Sequence, residues 1–127
     1  MVNKETYEET LAHVHTSSSP SELRITDIRF TDIVGGPFHS SLIKVYTNQG
    51  LVGFGEVRDG ADKVYALMLK SRLLGENPCN IDKLFRRIKQ FGGHARQGGG
   101  VSGLEIALWD LAGKAYGVPI YQMLGGK

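Results

Sequence analysis

The end of the chain, Val101 to Lys127 (VSGLEIALWDLAGKAYGVPIYQMLGGK), constrains the fold more than any other stretch. Leu104, Leu108, Leu111 and Ala115 recur at three- and four-residue spacing, which draws one apolar stripe along a helix. Ser102 and Glu105 have the spacing of a capping box: the serine accepts from the backbone N–H three residues on, and the glutamate reaches back. The helix is expected to stop at Gly117, which tolerates a left-handed cap, with Pro119 unable to continue the ladder. A second, short helix is expected to open at Pro119 and end at Gly125-Gly126.

Upstream, periodicity divides the chain into strands first and helices later. Leu23 to Ile33 reads as a strand whose phase slips between Ile25 and Ile28, the mark of a bulge. Ser41 to Thr47 alternates, with Ile43, Val45 and Thr47 on one face and Leu42, Lys44 and Tyr46 on the other. Asn48-Gln49-Gly50 makes a tight hairpin turn, and Leu51 to Val57 is the third strand. Gly53 and Gly55 leave room for something to pack closely over that strand. Short turns between sequential strands make an antiparallel meander rather than βαβ units.

After Arg58-Asp59-Gly60 the period changes. Val64, Leu67, Met68 and Leu74 suit the inner face of a helix ending at Gly75. Asn80 is placed to cap the next helix, in which Ile81, Leu84, Phe85, Ile88 and Phe91 face inward. Lys83, Arg86, Arg87 and Lys89 fall on its other side. Gly92-Gly93 ends it, and a glycine-rich loop leads to the last long helix. The expected fold class is α+β: a three-stranded antiparallel meander followed by a helical bundle.

A chain of 127 residues is one domain's worth, able to bury about two thirds of its unfolded surface. A net charge of +2 is too small to argue for nucleic acid. No apolar run approaches the roughly 20 residues of a membrane span, and Met1 to Ser21 lacks the apolar core of a signal peptide. With Cys79 as its one cysteine, the chain forms no internal disulfide, which fits a cytoplasmic setting. Residues 1–21, polar and closed by Ser17-Ser18-Ser19-Pro20, read as a flexible N-terminal tail, and 22–127 as the folded domain.

Most of the candidate chemistry has a plain structural explanation. Gly98, Gly100 and Gly103 satisfy G-x-G-x-x-G, but a dinucleotide site needs a strand before the glycines and a parallel strand after the helix. Here a helix and a loop precede it. His13 and His15 make an H-x-H pair without the further ligands a structural zinc requires. The basic face of Lys83, Arg86, Arg87 and Lys89 is the solvated side of a helix. Asp110 and Lys114 are spaced for a surface ion pair. Trp109 is placed as a core or domain-interface anchor, and Cys79 has no adjacent activating base.

The string Glu105-Ile106-Ala107-Leu108-Trp109-Asp110-Leu111-Ala112-Gly113-Lys114, with Gly117-Val118-Pro119 and Leu124-Gly125-Gly126, resembles a known family. It is similar to the end of the N-terminal capping domain in the mandelate racemase/muconate lactonizing group of the enolase superfamily. In that group the Leu-Gly-Gly segment leads into the first strand of a TIM-type barrel. The resemblance therefore implies an enolase-like capping domain over 22–127, with the barrel domain absent from these residues and expected as its partner.

It also implies a function. The parent enzyme would be a Mg²⁺-dependent acid-sugar dehydratase or racemase that abstracts a proton α to a carboxylate. The apolar face that would meet the barrel is left exposed in this chain alone, which is therefore expected to self-associate as a homo-oligomer. Metal ligands and bases come from the ends of barrel strands, so none is expected in this chain, which needs no cofactor and has no activity of its own. The two loops expected over the barrel mouth map to Val34–Ser40 and to the stretch that begins at Glu56. The substrate-binding candidates are thus Val34, Phe38, His39, Glu56 and Arg58. Ile33, Val34 and Phe38 would exclude water, while His39 and Arg58 would bind a carboxylate or hydroxyl. Without the family, the first loop is a surface turn and Glu56 and Arg58 a strand-end ion pair. The rival functional reading is a stand-alone α+β interaction module acting through the surface that would meet a barrel.

Overall fold

The structure is a computed structural model that describes residues 3–5, 18–37, 39–57, 63–92 and 100–127, with the backbone alone at 63, 65 and 66. Its three strands are β1 (Ile25–Ile33), β2 (Ser40–Thr47) and β3 (Val52–Val57). They form one antiparallel sheet in the order β1-β2-β3, so the expected meander is present. The β1–β2 register shifts between Ile25 and Asp27, where the phase of the apolar residues slips. A bulge is what lets Ile25 and Ile28, three apart, both reach the core. On β2 the alternation is as expected, with Ile43, Val45 and Thr47 buried. Gly50 closes the β2–β3 turn at φ 78°, a conformation that suits glycine.

The helices described are α1 (Lys63–Met68), α2 (Lys70–Leu73), α3 (Ile81–Ile88), α4 (Val101–Tyr116) and α5 (Ile120–Met123). The sequence expects one helix from Val64 to Gly75 with Val64, Leu67, Met68 and Leu74 inside. The structure corrects this. Leu69 and Leu73 are the buried residues, while Val64, Leu67, Met68 and Leu74 are exposed. The helix breaks at Leu69 between α1 and α2, and the break rotates the inward face onto a leucine pair four residues apart. Helix α3 keeps its expected face: Ile81, Leu84 and Ile88 are buried, with Phe85 and Phe91 packed against the core. Asn80 is its N-cap residue, although its side chain makes no capping hydrogen bond.

Helix α4 lies across β3 and organises the core, burying Leu104, Ala107, Leu108, Leu111, Ala112 and Ala115. The contact is backbone to backbone. A side-chain carbon added at Gly53 would fall 2.3 Å from the carbonyl oxygen of Ala107, and one at Gly103 would fall 2.5 Å from that of Glu56. The close approach that Gly53 and Gly55 leave room for is therefore made by α4. The capping box is displaced, because Gly100 at φ 76° is the N-cap and Ser102 stands within the first helical turn. At the other end Gly117 adopts the left-handed conformation, its N–H donating to Gly113 O, as the stop signal requires.

Before β1, Ser18 Oγ donates to Ala115 O, and Ser19 exchanges two hydrogen bonds with the side-chain amide of Gln49. After α2, Ile25 N–H donates to Glu76 O and Gly75 N–H to Ile25 O. These bonds tie the helical layer to the start of β1.

Candidate functional site

The register of the sheet brings the two expected loops together. Ile33 is opposite Ser40, and Ser41 is opposite Val57. The β1–β2 connection and the chain leaving β3 therefore share one end of the sheet. Helix α4 starts at that same end, since Gly103 packs on Glu56. This convergence follows from a meander of short turns: strands one and three run parallel, so a connection after β1 and one after β3 exit side by side.

Of the five substrate-binding candidates, three are described. Val34 is 80% exposed in the β1–β2 connection, beside Ile33 at 45%. His39 is exposed just before β2, and Glu56 is exposed on β3 opposite Leu42. Phe38 and Arg58 lie outside the described residues. Ile33, which ends β1, and Val34 directly after it are exposed apolar side chains at the same end of the sheet as His39 and Glu56, a combination that can exclude water while leaving hydrogen-bonding groups at its edge.

Among the described residues no group of three or more His, Cys, Asp or Glu side chains is placed to hold a metal ion. They do not fit the Mg²⁺ that the family resemblance implies for a complete enzyme. His13 and His15 lie outside the described residues.

Several other charged side chains among the described residues pair within the domain. Lys83 and Arg87 both reach Glu76, at 3.0 and 2.7 Å, and Arg86 pairs with Asp82 at 2.9 Å. The basic face of α3 is thus largely paired within the domain. Asp27 is held by Lys70 and by Arg29, whose hydrogen bonds lower its carboxyl to about 2. The Cys79 thiol is pushed up by burial, with an opposing hydrogen bond from Tyr116. Trp109 is partly buried against the core. An open cleft of about 400 Å³ lies at the C-terminal end of α4, between Lys114 and Ile120, at the opposite end of that helix from the paired loops.

One arrangement escapes any reading of the helix alone. Asp110 and Lys114 form the expected i,i+4 pair at 2.6 Å, and both also hold the backbone of β3. Phe54 N–H donates to Asp110 Oδ2 at 2.8 Å, and Lys114 Nζ donates to Val52 O at 2.8 Å. Their partners are main-chain atoms more than fifty residues away, which no side-chain pattern announces.

A three-stranded antiparallel meander followed by helices is the architecture of the enolase-superfamily N-terminal domain. Residues 10–125 match the family described as mandelate racemase / muconate lactonizing enzyme, N-terminal domain. The chain belongs to this family. It is 38% identical over 94% of its length to a D-xylonate dehydratase of Haloferax volcanii, of which it covers 30%. A D-galactonate dehydratase of Verminephrobacter eiseniae is 38% identical over 66% of the chain and is covered to 24%. Among solved structures, an enolase-superfamily member from Salmonella Typhimurium superimposes with a TM-score of 0.68 at 35% identity, over 83% of this chain and 30% of the other. A mandelate racemase/muconate lactonizing enzyme from Sulfitobacter sp. gives a TM-score of 0.69 at 28% identity, over 83% of this chain and 30% of the other. The chain thus spans about a third or less of the length of these relatives. Among the described residues no helix is long and apolar enough to cross a membrane.

Proposed function

We propose that this domain caps an acid-sugar dehydratase, closing over a sugar-acid carboxylate and contributing to substrate choice. The observation that carries the reading is the 38% identity to a D-xylonate dehydratase across 94% of the chain. A D-galactonate dehydratase at the same identity favours dehydration over racemisation. In this reading Val34 and Phe38 exclude water from the site. His39, Glu56 and Arg58 meet the carboxylate and hydroxyls of the substrate, and the shared exit of the two loops supports grouping them.

Such dehydration begins with proton abstraction α to the carboxylate, and Mg²⁺ bound elsewhere in a complete enzyme would supply stabilisation of the developing charge. We place the metal and the base on a barrel domain of the complete enzyme, as the family resemblance implies. No proton-transfer step is assigned to this chain. Its own part is to bind, orient and desolvate. A reducing, cytoplasmic setting fits its lone cysteine, and self-association through the exposed apolar side chains of α1 fits the expected homo-oligomer.

The test is a domain exchange, with this chain replacing the corresponding residues of the Haloferax D-xylonate dehydratase. A folded chimera that dehydrates a sugar acid in the presence of Mg²⁺ supports the reading. A folded chimera that binds Mg²⁺ and turns over no sugar acid overturns it. Pure 127-residue chain is expected to show no turnover, and measurable dehydration by it would reassign the chemistry to these residues.

A further inference from the structure

We infer that Asp110 and Lys114 are positioning residues that act as a substitute fourth strand, fixing β3 lengthwise on α4 and thereby placing Glu56 and Val57 at the end of that strand. The functional consequence rests on the proposed role of that segment in the cap, whereas the clamp itself stands on distances alone.

Three observations carry it. First, among the described residues β3 is the edge of the sheet, bonded to β2 on one side only, so alternate N–H and C=O groups point outward without a described strand beside them. Phe54 N–H and Val52 C=O are such groups, and Asp110 and Lys114 meet one each, donor with acceptor and acceptor with donor. An i,i+4 pair of opposite charge on a helix so reproduces the alternation of a paired strand. Second, the face of β3 that packs on α4 presents glycines at two of its positions. Gly53 lies against Ala107 O and the Leu111 side chain, and Gly55 against Gly103 O, so at both positions the strand has no side chain of its own to resist sliding. Directional, charge-assisted hydrogen bonds supply the lengthwise restraint that such a seam lacks. Third, the clamp is itself held. The Lys114 ammonium lies 4.6 Å from the centre of the Phe54 ring, with Lys44 at 5.4 Å, so the residue whose N–H is gripped is also pinned by its side chain. Glu56, a substrate-binding candidate, is two residues further along the same strand.

Amide hydrogen exchange on the full chain tests this without any need for activity. In D110A the Phe54 amide is expected to exchange about tenfold faster, as expected for local loss of one strong acceptor, while Ile43 and Val45 at the centre of the sheet keep their protection. The Glu56 and Val57 amide resonances should shift with it. D110N keeps an acceptor of the same shape and is expected to hold Phe54 within about threefold of the native rate. Should D110A not fold, K114M removes the other arm, and the same Glu56 and Val57 shifts are expected. Unchanged Phe54 protection in folded D110A overturns the inference. So does a loss of protection spread evenly across the sheet, or K114M spectra identical to native at Glu56 and Val57. Because the readout is exchange, a failed chimera would leave this result standing, and a failed clamp would leave the family function untouched.

Discussion

Gly55 and Gly103 meet backbone to backbone: a side-chain carbon on Gly55 would sit 2.0 Å from the carbonyl oxygen of Gly103. Neither glycine is needed for its conformation, since neither has a positive φ. Both are needed for space. The seam they make brings α4 onto β3 at the end of the sheet where the chain leaves β1 and β3.

Replacing Gly55 by alanine should therefore cost about 3 kcal/mol or more, because the opposing atoms are backbone and cannot rotate away. Gly50 offers the contrast. It has open space around it and a φ of 78°, so G50A should cost only about 1–2 kcal/mol, the left-handed penalty for a residue with a Cβ. G50N should recover part of that, whereas no side chain should rescue Gly55. Urea unfolding of the three variants checks the order. Equal losses for G55A and G50A would mean that α4 can lift from the sheet.

Much of this arrangement is legible in the residues, and its limits are physical. The three-residue gap between Ile25 and Ile28 betrays the bulge, and the pair Gly53 and Gly55 betrays a close neighbour. Both are local patterns with one structural solution. Val64, Leu67, Met68 and Leu74 mislead because a period counted through residue 69 assumes an unbroken helix, while the break there turns Leu69 and Leu73 inward. The Leu69–Leu73 spacing of four is itself helical and could have been weighed against them. Ser102 misleads by two residues because Gly100, with no side chain to cap, can still turn the chain into α4. That the chain leaves β1 and β3 at one end of the sheet is readable from the strand order, but the grip of Asp110 and Lys114 is not, since their partners there are backbone atoms of β3.

Acid should reveal the Asp27 cluster. Hydrogen bonds from Lys70 and Arg29 hold the Asp27 carboxyl at about 2, against 3.8 for a free aspartate. A carboxyl lowered in the folded state binds fewer protons there than when unfolded, so its stabilisation is complete above about 3.8 and is lost as the pH falls towards 2. Glu76, lowered by Arg87 and Lys83, acts in the same direction. Urea midpoints measured from pH 5 down to 2 should fall more steeply for the native chain than for D27N. Parallel curves would show that Asp27 titrates alike in both states.

Cys79 should be a poor nucleophile. Burial raises its thiol, and only the hydrogen bond with Tyr116 opposes this. Because the thiolate is the reactive form, alkylation by iodoacetamide at pH 7.5 should be about tenfold or more slower in the folded chain than in urea. Y116F removes the opposing hydrogen bond and should slow it further. A native rate equal to the unfolded rate would show the sulfur to be open to solvent.

Helix α1 should make the isolated chain associate. Val64, Leu67 and Met68 are 58, 41 and 61% exposed and lie within one short helix, an apolar surface of the kind that soluble monomers seldom leave uncovered. A closed dimer in which one such surface meets its symmetric copy is the simplest arrangement that covers both. Sedimentation of the native chain should show a concentration-dependent shift from monomer to dimer, accompanied by binding of a hydrophobic dye to the monomer. V64E together with M68K should abolish both effects with little loss of stability, because neither side chain is in the core. If the double variant dimerises as strongly as the native chain, α1 is not the contact and another exposed surface carries it. If the native chain stays monomeric at millimolar concentration and binds no dye, these side chains do not form a sticky surface.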